Sequence, residues 1–223
     1  MEKLKTVIFD MDGLMFDTET MYYKANQKAA DELGLPFTYE YYAKYIGISD
    51  EEFFASLYQE FNDDEKVDAF IENSRTYLFE QIKTDGILVK PGLLELLEFL
   101  HERGVGKVVA SSSIQSMVQM CVDNANVAHY FDEIVSGDQV AFAKPDPEIF
   151  EKAWGLFDGK KEETVILEDS LNGIRAAYDA GISVIMVPDL FDPNEEAREK
   201  TLAIHKDLVD VKKFLQQKWD LNN

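Results

Sequence analysis

The run Thr6-Val7-Ile8-Phe9, broken off at Asp10-Met11-Asp12-Gly13, constrains the fold of this chain more than any other segment. Four consecutive β-branched or aromatic residues read as a strand buried on both faces, the kind that parallel sheets contain. Four further short apolar runs repeat the pattern, at Lys107–Ala110, Glu133–Val135, Thr164–Leu167 and Ser183–Val187. Helical periodicities separate them. Pro91 stands near the start of a helix carrying Leu93, Leu94, Leu96, Leu97 and Leu100 and stopped by Gly104, and further helices are expected over Ile149–Leu156, Leu171–Ala180 and Asp207–Trp219. Strands alternating with helices predict an α/β fold, a Rossmann-like parallel sheet built from βαβ units.

From about Thr18 to Leu88 the pattern changes. Segments Glu19–Leu33, Tyr39–Tyr45, Glu51–Phe61 and Glu65–Ile82 read as helices, punctuated by Gly34-Leu35-Pro36 and Gly47-Ile48-Ser49, with no convincing strand between them. Such a block is too long for a simple crossover, so it reads as an inserted all-α helical bundle. The expected division is a core domain of residues 1–17 and 90–223 and a helical cap domain of residues 18–89. An insertion joined at the carboxyl end of the first strand is expected to act as a lid over Asp10 and Asp12. Of its tyrosines, Tyr22, Tyr23, Tyr39, Tyr41, Tyr42 and Tyr45, most are expected to pack between helices with their hydroxyls reaching water, and one or two to line the pocket.

Twenty-two basic residues against 43 acidic ones leave a formal net charge of -21. Such a surface repels nucleic acid and anionic lipid, which excludes both as expected partners. An anionic substrate would need positive charge supplied locally. Cys121 is the only cysteine, so neither an internal disulfide nor a thiolate metal cluster is available. It is expected on a buried apolar helix face, in a protein of the reducing cytoplasm. No stretch approaches the ~20 apolar residues of a membrane helix, and the N-terminal pattern is not that of a signal peptide. A monomer is the default expectation.

Carboxylates just past a parallel strand lie at the carboxyl edge of the sheet, where open α/β sheets bind ligands. Alternate residues of an extended segment point the same way, so Asp10 and Asp12 can share a site, and Gly13 permits a sharp turn and a close approach to a ligand. A calcium loop also begins Asp-x-Asp, but it needs an oxygen ligand and a glycine where Leu14 and Met15 stand. Val165-Ile166-Leu167 runs into a second acidic pair, Glu168-Asp169, followed by Ser170. Asp169 or Ser170 capping the next helix is the alternative use of these residues. Two strand ends that each deliver paired carboxylates make an oxygen-rich site suited to magnesium. Ser111, Ser112 and Ser113 end another strand, where hydroxyls and amides can hold an anion or simply cap a helix. Lys144 stands beside a stiffened turn, Lys144-Pro145-Asp146-Pro147.

In this order, Asp10-Met11-Asp12-Gly13, Ser111 after an apolar strand, Lys144 in Lys-Pro-Asp-Pro and Glu168-Asp169-Ser170 resemble the haloacid-dehalogenase-like (HAD) phosphohydrolases over nearly the whole chain. The chain is most similar to the branch holding β-phosphoglucomutase and small sugar-phosphate phosphatases, and the second aspartate points to phosphoryl chemistry. The resemblance implies Asp10 as nucleophile, forming an aspartyl-phosphate, and Asp12 as acid/base. It implies magnesium held by Asp10, Asp169, the backbone carbonyl of Asp12, and Glu168 directly or through water. Lys144 and Ser111 would stabilise the transferring phosphoryl group of a small phosphorylated metabolite. Gly13, Ser112, Ser113 and the cap residue Tyr22 complete the expected substrate contacts.

The chain departs from mutase-like relatives at three places. Tyr22 stands where they tend to carry histidine, Asp50 where a basic residue would help hold a second phosphate, and Ile114-Gln115 where lysine and asparagine would be expected. These losses favour simple hydrolysis over phosphoryl transfer within a bisphosphate. Phospho-accepting receiver domains use similar residue types, but their phosphorylated aspartate follows a middle strand, and a long helical insertion after the first strand does not fit them.

Overall fold

Every run of β-branched residues named above forms a strand. The computed structural model describes residues 3–45 and 50–219; the Gly47-Ile48-Ser49 break lies outside them. In chain order, β1 (Thr6–Phe9) is followed by α1 (Thr18–Leu33), α2 (Tyr39–Tyr42), α3 (Asp50–Phe61) and α4 (Asp64–Asp85). Then come α5 (Leu93–Glu102), β2 (Gly106–Ser111), α6 (Gln115–Asn124), β3 (Glu133–Ser136), α7 (Glu148–Trp154), β4 (Thr164–Glu168) and α8 (Leu171–Asp179). The chain continues through β5 (Ser183–Met186), α9 (Glu195–Lys200), β6 (Ala203–Ile204) and α10 (Leu208–Lys218).

The strands form one parallel sheet in the order β3-β2-β1-β4-β5-β6. Ile8, Val108, Ile166 and Val184 belong to a core cluster with Ile149, Phe150, Ile174 and Ala177 of α7 and α8. Their alternates Val7, Phe9, Val109, Val165, Leu167 and Ile185 are equally inaccessible. Both faces are therefore covered, as the continuous apolar runs require. Pro91 lies just ahead of α5 instead of within its first turn, because Gly92, at a φ of 88°, holds a left-handed conformation at the N-cap. Cys121 is buried on α6, where burial pushes its thiol up to about 12 and leaves it unreactive.

The chain divides into two compact units, Met1–Phe16 with Leu88–Asn223, and Asp17–Ile87. Leu88 and Val89 join the α/β unit because Phe16 pairs with Val89 and Lys90 N–H donates to Met15 O at 2.9 Å. The helical unit has its own core of Ala29, Ala30, Phe37, Tyr42, Phe53, Leu57, Val67 and Phe70. Water is the expected partner for most of its tyrosine hydroxyls, and several donate to protein acceptors instead. Tyr42 donates to Glu19 Oε2 at 2.7 Å, Tyr45 to Glu60 Oε1 at 2.6 Å, and Tyr23 to Gln27 Oε1 at 3.0 Å. A chain this rich in carboxylates puts a strong acceptor within reach of many hydroxyls. No helix among the described residues is long and apolar enough to cross a membrane.

Candidate active site

The strand order explains why residues far apart in sequence meet. From β1 the chain builds outwards through β2 and β3, then returns to lay β4 on the other side of β1. The crevice at such a reversal, past the carboxyl ends of the strands, is where open α/β sheets form sites. Phe9 pairs with Leu167, and Asp10 N–H donates to Leu167 O at 3.0 Å, so Asp10 stands level with Glu168. Asp10 is 6% exposed and Glu168 1%.

Lys144 enters between them. Its ammonium donates to Asp10 Oδ1 at 2.5 Å, Glu168 Oε1 at 2.8 Å and Ala110 O at 3.2 Å, and lies 4.7 Å from the centre of the Phe150 ring. Burial alone would lower its pKa; the carboxylates of Asp10 and Glu168 outweigh that and hold it above the usual lysine value. Lys144 is thus a fixed cation and no solvated surface lysine.

The second acidic pair divides its tasks. Ser170 caps α8, its hydroxyl oxygen accepting from Gly173 N–H at 3.1 Å. Glu168 Oε2 folds back onto the same turn, accepting from Ser170 N–H at 2.7 Å and from Ser170 Oγ at 3.0 Å, where the positive end of a helix favours a carboxylate. Gly173 makes room for it, since a Cβ there would sit 1.7 Å from Glu168 Oε1. Gly173→Ala is therefore expected to push Glu168 off Lys144 and to destabilise the fold by about 1–3 kcal/mol, read as a lowered midpoint in denaturant unfolding.

Asp169 turns towards Asp10 instead of capping the helix. Asp10, Glu168 and Asp169 each offer a carboxylate oxygen, all within 4.8 Å of one another. Burial, reinforced by neighbouring carboxylates and only partly offset by Lys144, holds the Asp10 and Asp169 pKa values well above the usual range. Two buried carboxylates and the half-buried one of Asp169, facing one ammonium and with oxygen donors only, are matched by a hard divalent cation. The close approach expected of Gly13 is to Asp169: Gly13 has a φ of 80°, and a Cβ on it would lie 2.3 Å from Asp169 Oδ2.

Asp12 lies apart from this triad of oxygens. Its Oδ2 accepts from Ser111 Oγ at 3.1 Å and Ser113 Oγ at 3.0 Å. Ser111 is fully buried at the end of β2, and Ser112 is exposed. Tyr22 lies on α1, packed against the apolar core of the helical unit. Sequence reasoning does not single out Asp189, whose Oδ1 pairs with Lys90 and whose Oδ2 would be 3.1 Å from a Cβ at Gly13. Asp189 carries the same signal as Asp10, an acid just past an apolar strand, and it adds to the negative charge around Asp169.

A family model described as haloacid dehalogenase-like hydrolase matches residues 7–187. A phosphorylated carbohydrates phosphatase of Thermotoga maritima is 31% identical over 185 residues, which cover 82% of this chain and 84% of that protein. The crystal structure of CbbY from Rhodobacter sphaeroides in complex with phosphate has a TM-score of 0.81 at 23% identity, covering 93% of this chain and 96% of the other. The β-phosphoglucomutase of Clostridium difficile has a TM-score of 0.78 at 23% identity, with 97% of each chain covered. At that identity the two structures share the fold: a parallel sheet with the helical insertion after its first strand.

Proposed function

We propose, from the premise that the chain belongs to the haloacid dehalogenase-like hydrolases, that it is a magnesium-dependent phosphatase acting on a small phosphoester through an aspartyl-phosphate. A sugar phosphate or similar metabolite is the substrate class we favour, in keeping with the phosphorylated-carbohydrate phosphatase it resembles. On the same reading the enzyme works as a cytoplasmic monomer. The observation that carries the proposal is the bridge of Lys144 between Asp10 and Glu168, which fixes a carboxylate beside a permanent cation at the carboxyl edge of the sheet.

A carboxylate attacking a phosphate faces like charge. Asp10 and Asp169, the backbone carbonyl of Asp12, and Glu168 directly or through water, are the groups that would hold magnesium, which when bound offsets that repulsion and stabilises charge on the phosphoryl oxygens. Asp10 then forms its bond to phosphorus as the bond to the leaving oxygen breaks, and Asp12 gives that oxygen a proton. In the second half Asp12 takes a proton from water as the water oxygen bonds to phosphorus and the Asp10–phosphorus bond breaks. Lys144 and Ser111, with backbone groups at Gly13 and Ser112, stabilise charge on the transferring group. Ser111 reaches it by turning its hydroxyl from Asp12. Tyr22 is our candidate for contact with the leaving group.

Phosphate release from a panel of sugar phosphates, nucleotides and simple phosphoesters tests the reading. Activity is expected with magnesium, lost in EDTA and restored by added magnesium. A folded protein that releases phosphate from none of them would overturn it. Mutase-type transfer is the second reading. Ile114, 44% exposed beside the serines, puts no cation there for a second phosphate; glucose 6-phosphate accumulating from β-glucose 1-phosphate with a bisphosphate primer would favour the mutase.

A further inference from the structure

The hydroxyls of Ser111 and Ser113 converge on a single atom, Asp12 Oδ2, while Asp12 Oδ1 is buried without a hydrogen-bond partner among the described residues. The segment that carries them is fixed from several sides. Ser113 N–H donates to Ser111 Oγ at 3.0 Å, and Ser113 O accepts from Gly137 N–H at 2.9 Å. Gly137 is pressed against the neighbouring peptide so closely that a Cβ there would lie 2.1 Å from Ser112 O. Just beyond, Asp138 Oδ1 accepts from Gln115 N–H at 3.0 Å and from Ser136 Oγ at 2.6 Å, which ties the start of α6 to the end of β3. Ser113 therefore presents its hydroxyl from a backbone that has little freedom to move.

A carboxylate oxygen has two lone-pair directions, and two hydroxyl donors fill both on Oδ2. We propose that Ser113 is a positioning residue that, together with Ser111, holds the Asp12 carboxyl in one orientation and leaves Oδ1 as the oxygen that meets the reacting proton. The assignment rests on the reading of Asp12 as acid/base and replaces the substrate contact that the sequence suggests for Ser113. When the bond between phosphorus and the leaving oxygen breaks, the electron pair of that oxygen takes the proton from Oδ1. When water attacks the aspartyl-phosphate, Oδ1 takes the proton back from the water. Ser113 donates to Oδ2 throughout and keeps its own proton. It matters most while Ser111 turns to the phosphoryl group, since it is then the hydroxyl that keeps Asp12 in place.

The test compares two esters with the same phosphoryl group. p-Nitrophenolate leaves without a proton, whereas the more basic phenolate gains from receiving one. The value of kcat/KM reports only the steps up to departure of the leaving group, so it isolates the donation by Asp12. In Ser113→Ala, kcat/KM for phenyl phosphate is expected to fall about tenfold further than kcat/KM for p-nitrophenyl phosphate. Ser113→Thr, which keeps the hydroxyl, is expected to restore most of the difference. A residue that only supports the fold, or only binds the phosphoryl group, would lower both esters equally. Equal losses in Ser113→Ala, with both esters hydrolysed by the wild type, overturn the positioning role and leave the phosphatase reading standing. A wild type that releases phosphate from neither ester and from no member of the panel above overturns the hydrolase reading, and this inference with it.

Discussion

Asp10→Asn is expected to lower phosphate release by about 10⁴-fold or more, because an amide oxygen cannot replace the attacking carboxylate. The fold should not suffer. Asparagine keeps the shape of a side chain that is only 8% exposed, and Lys144 retains Glu168 Oε1 at 2.8 Å and Ala110 O at 3.2 Å. Stability should even rise slightly. Burial first, then the nearby carboxylates, raise the Asp10 pKa well above the usual value, against the pull of Lys144. A carboxyl group with a raised folded-state pKa holds its proton more tightly in the folded chain than in the unfolded one. Its ionisation therefore removes stability as the pH rises from the ordinary carboxylate range through the raised value. At neutral pH, in the absence of metal, the neutral amide removes that cost. Lost turnover together with an unchanged or raised melting temperature is the expected pair of results. Wild-type-like turnover by the purified variant would sink the role assigned to Asp10.

Lys144→Met should show the opposite combination, with stability and turnover both falling. The ammonium is the partner of two buried carboxylates, its own side chain 6% exposed and those of Asp10 and Glu168 8% and 1%. Methionine fills much of the space but leaves three neighbouring carboxyl groups without their fixed cation. Breaking a buried pair by removing one partner costs about 3–5 kcal/mol, measurable by denaturant unfolding of the metal-free protein. Turnover should fall by about 10²–10³-fold for loss of a charge aimed at the transferring oxygens. Magnesium should recover part of the stability by restoring positive charge, and little of the turnover. Unchanged stability would mean that Lys144 is not the countercharge of the cluster.

The fold class was legible because parallel strands buried on both faces are written as unbroken apolar runs. Thr6–Phe9 and Thr164–Glu168 need no other signal. β6 escapes such a reading because Ala203–Ile204 is too short to make a run. α9 escapes because Glu195–Lys200 buries only Ala197 and shows no apolar period. The acidic residues of the candidate site stand out for a related reason: Asp10, Glu168 and Asp169 interrupt or end hydrophobic strands, where a charge needs explanation. Lys144 becomes visible only beside them, in order. Sequence does not say what each polar group touches. Lys90 and Asp189 are 99 residues apart and meet only through the order of the strands. Ser111 and Ser113 look like an anion-binding turn, and their convergence on Asp12 depends on how that turn is braced by Gly137 and Asp138.

On this mechanism Asp10 carries the phosphoryl group between the two halves of the reaction. Trapping that adduct tests it most directly. Asp12→Asn, in which hydrolysis of the aspartyl-phosphate should be slow, is incubated with magnesium and acetyl phosphate, whose leaving group needs no proton from the enzyme, then quenched in acid. Peptide mass spectrometry is predicted to find one phosphoryl group on the peptide containing Asp10, and none when Asp10 is also replaced by asparagine. A phosphoryl group on another residue, or phosphate released without any adduct, would rule out Asp10 as the carrier.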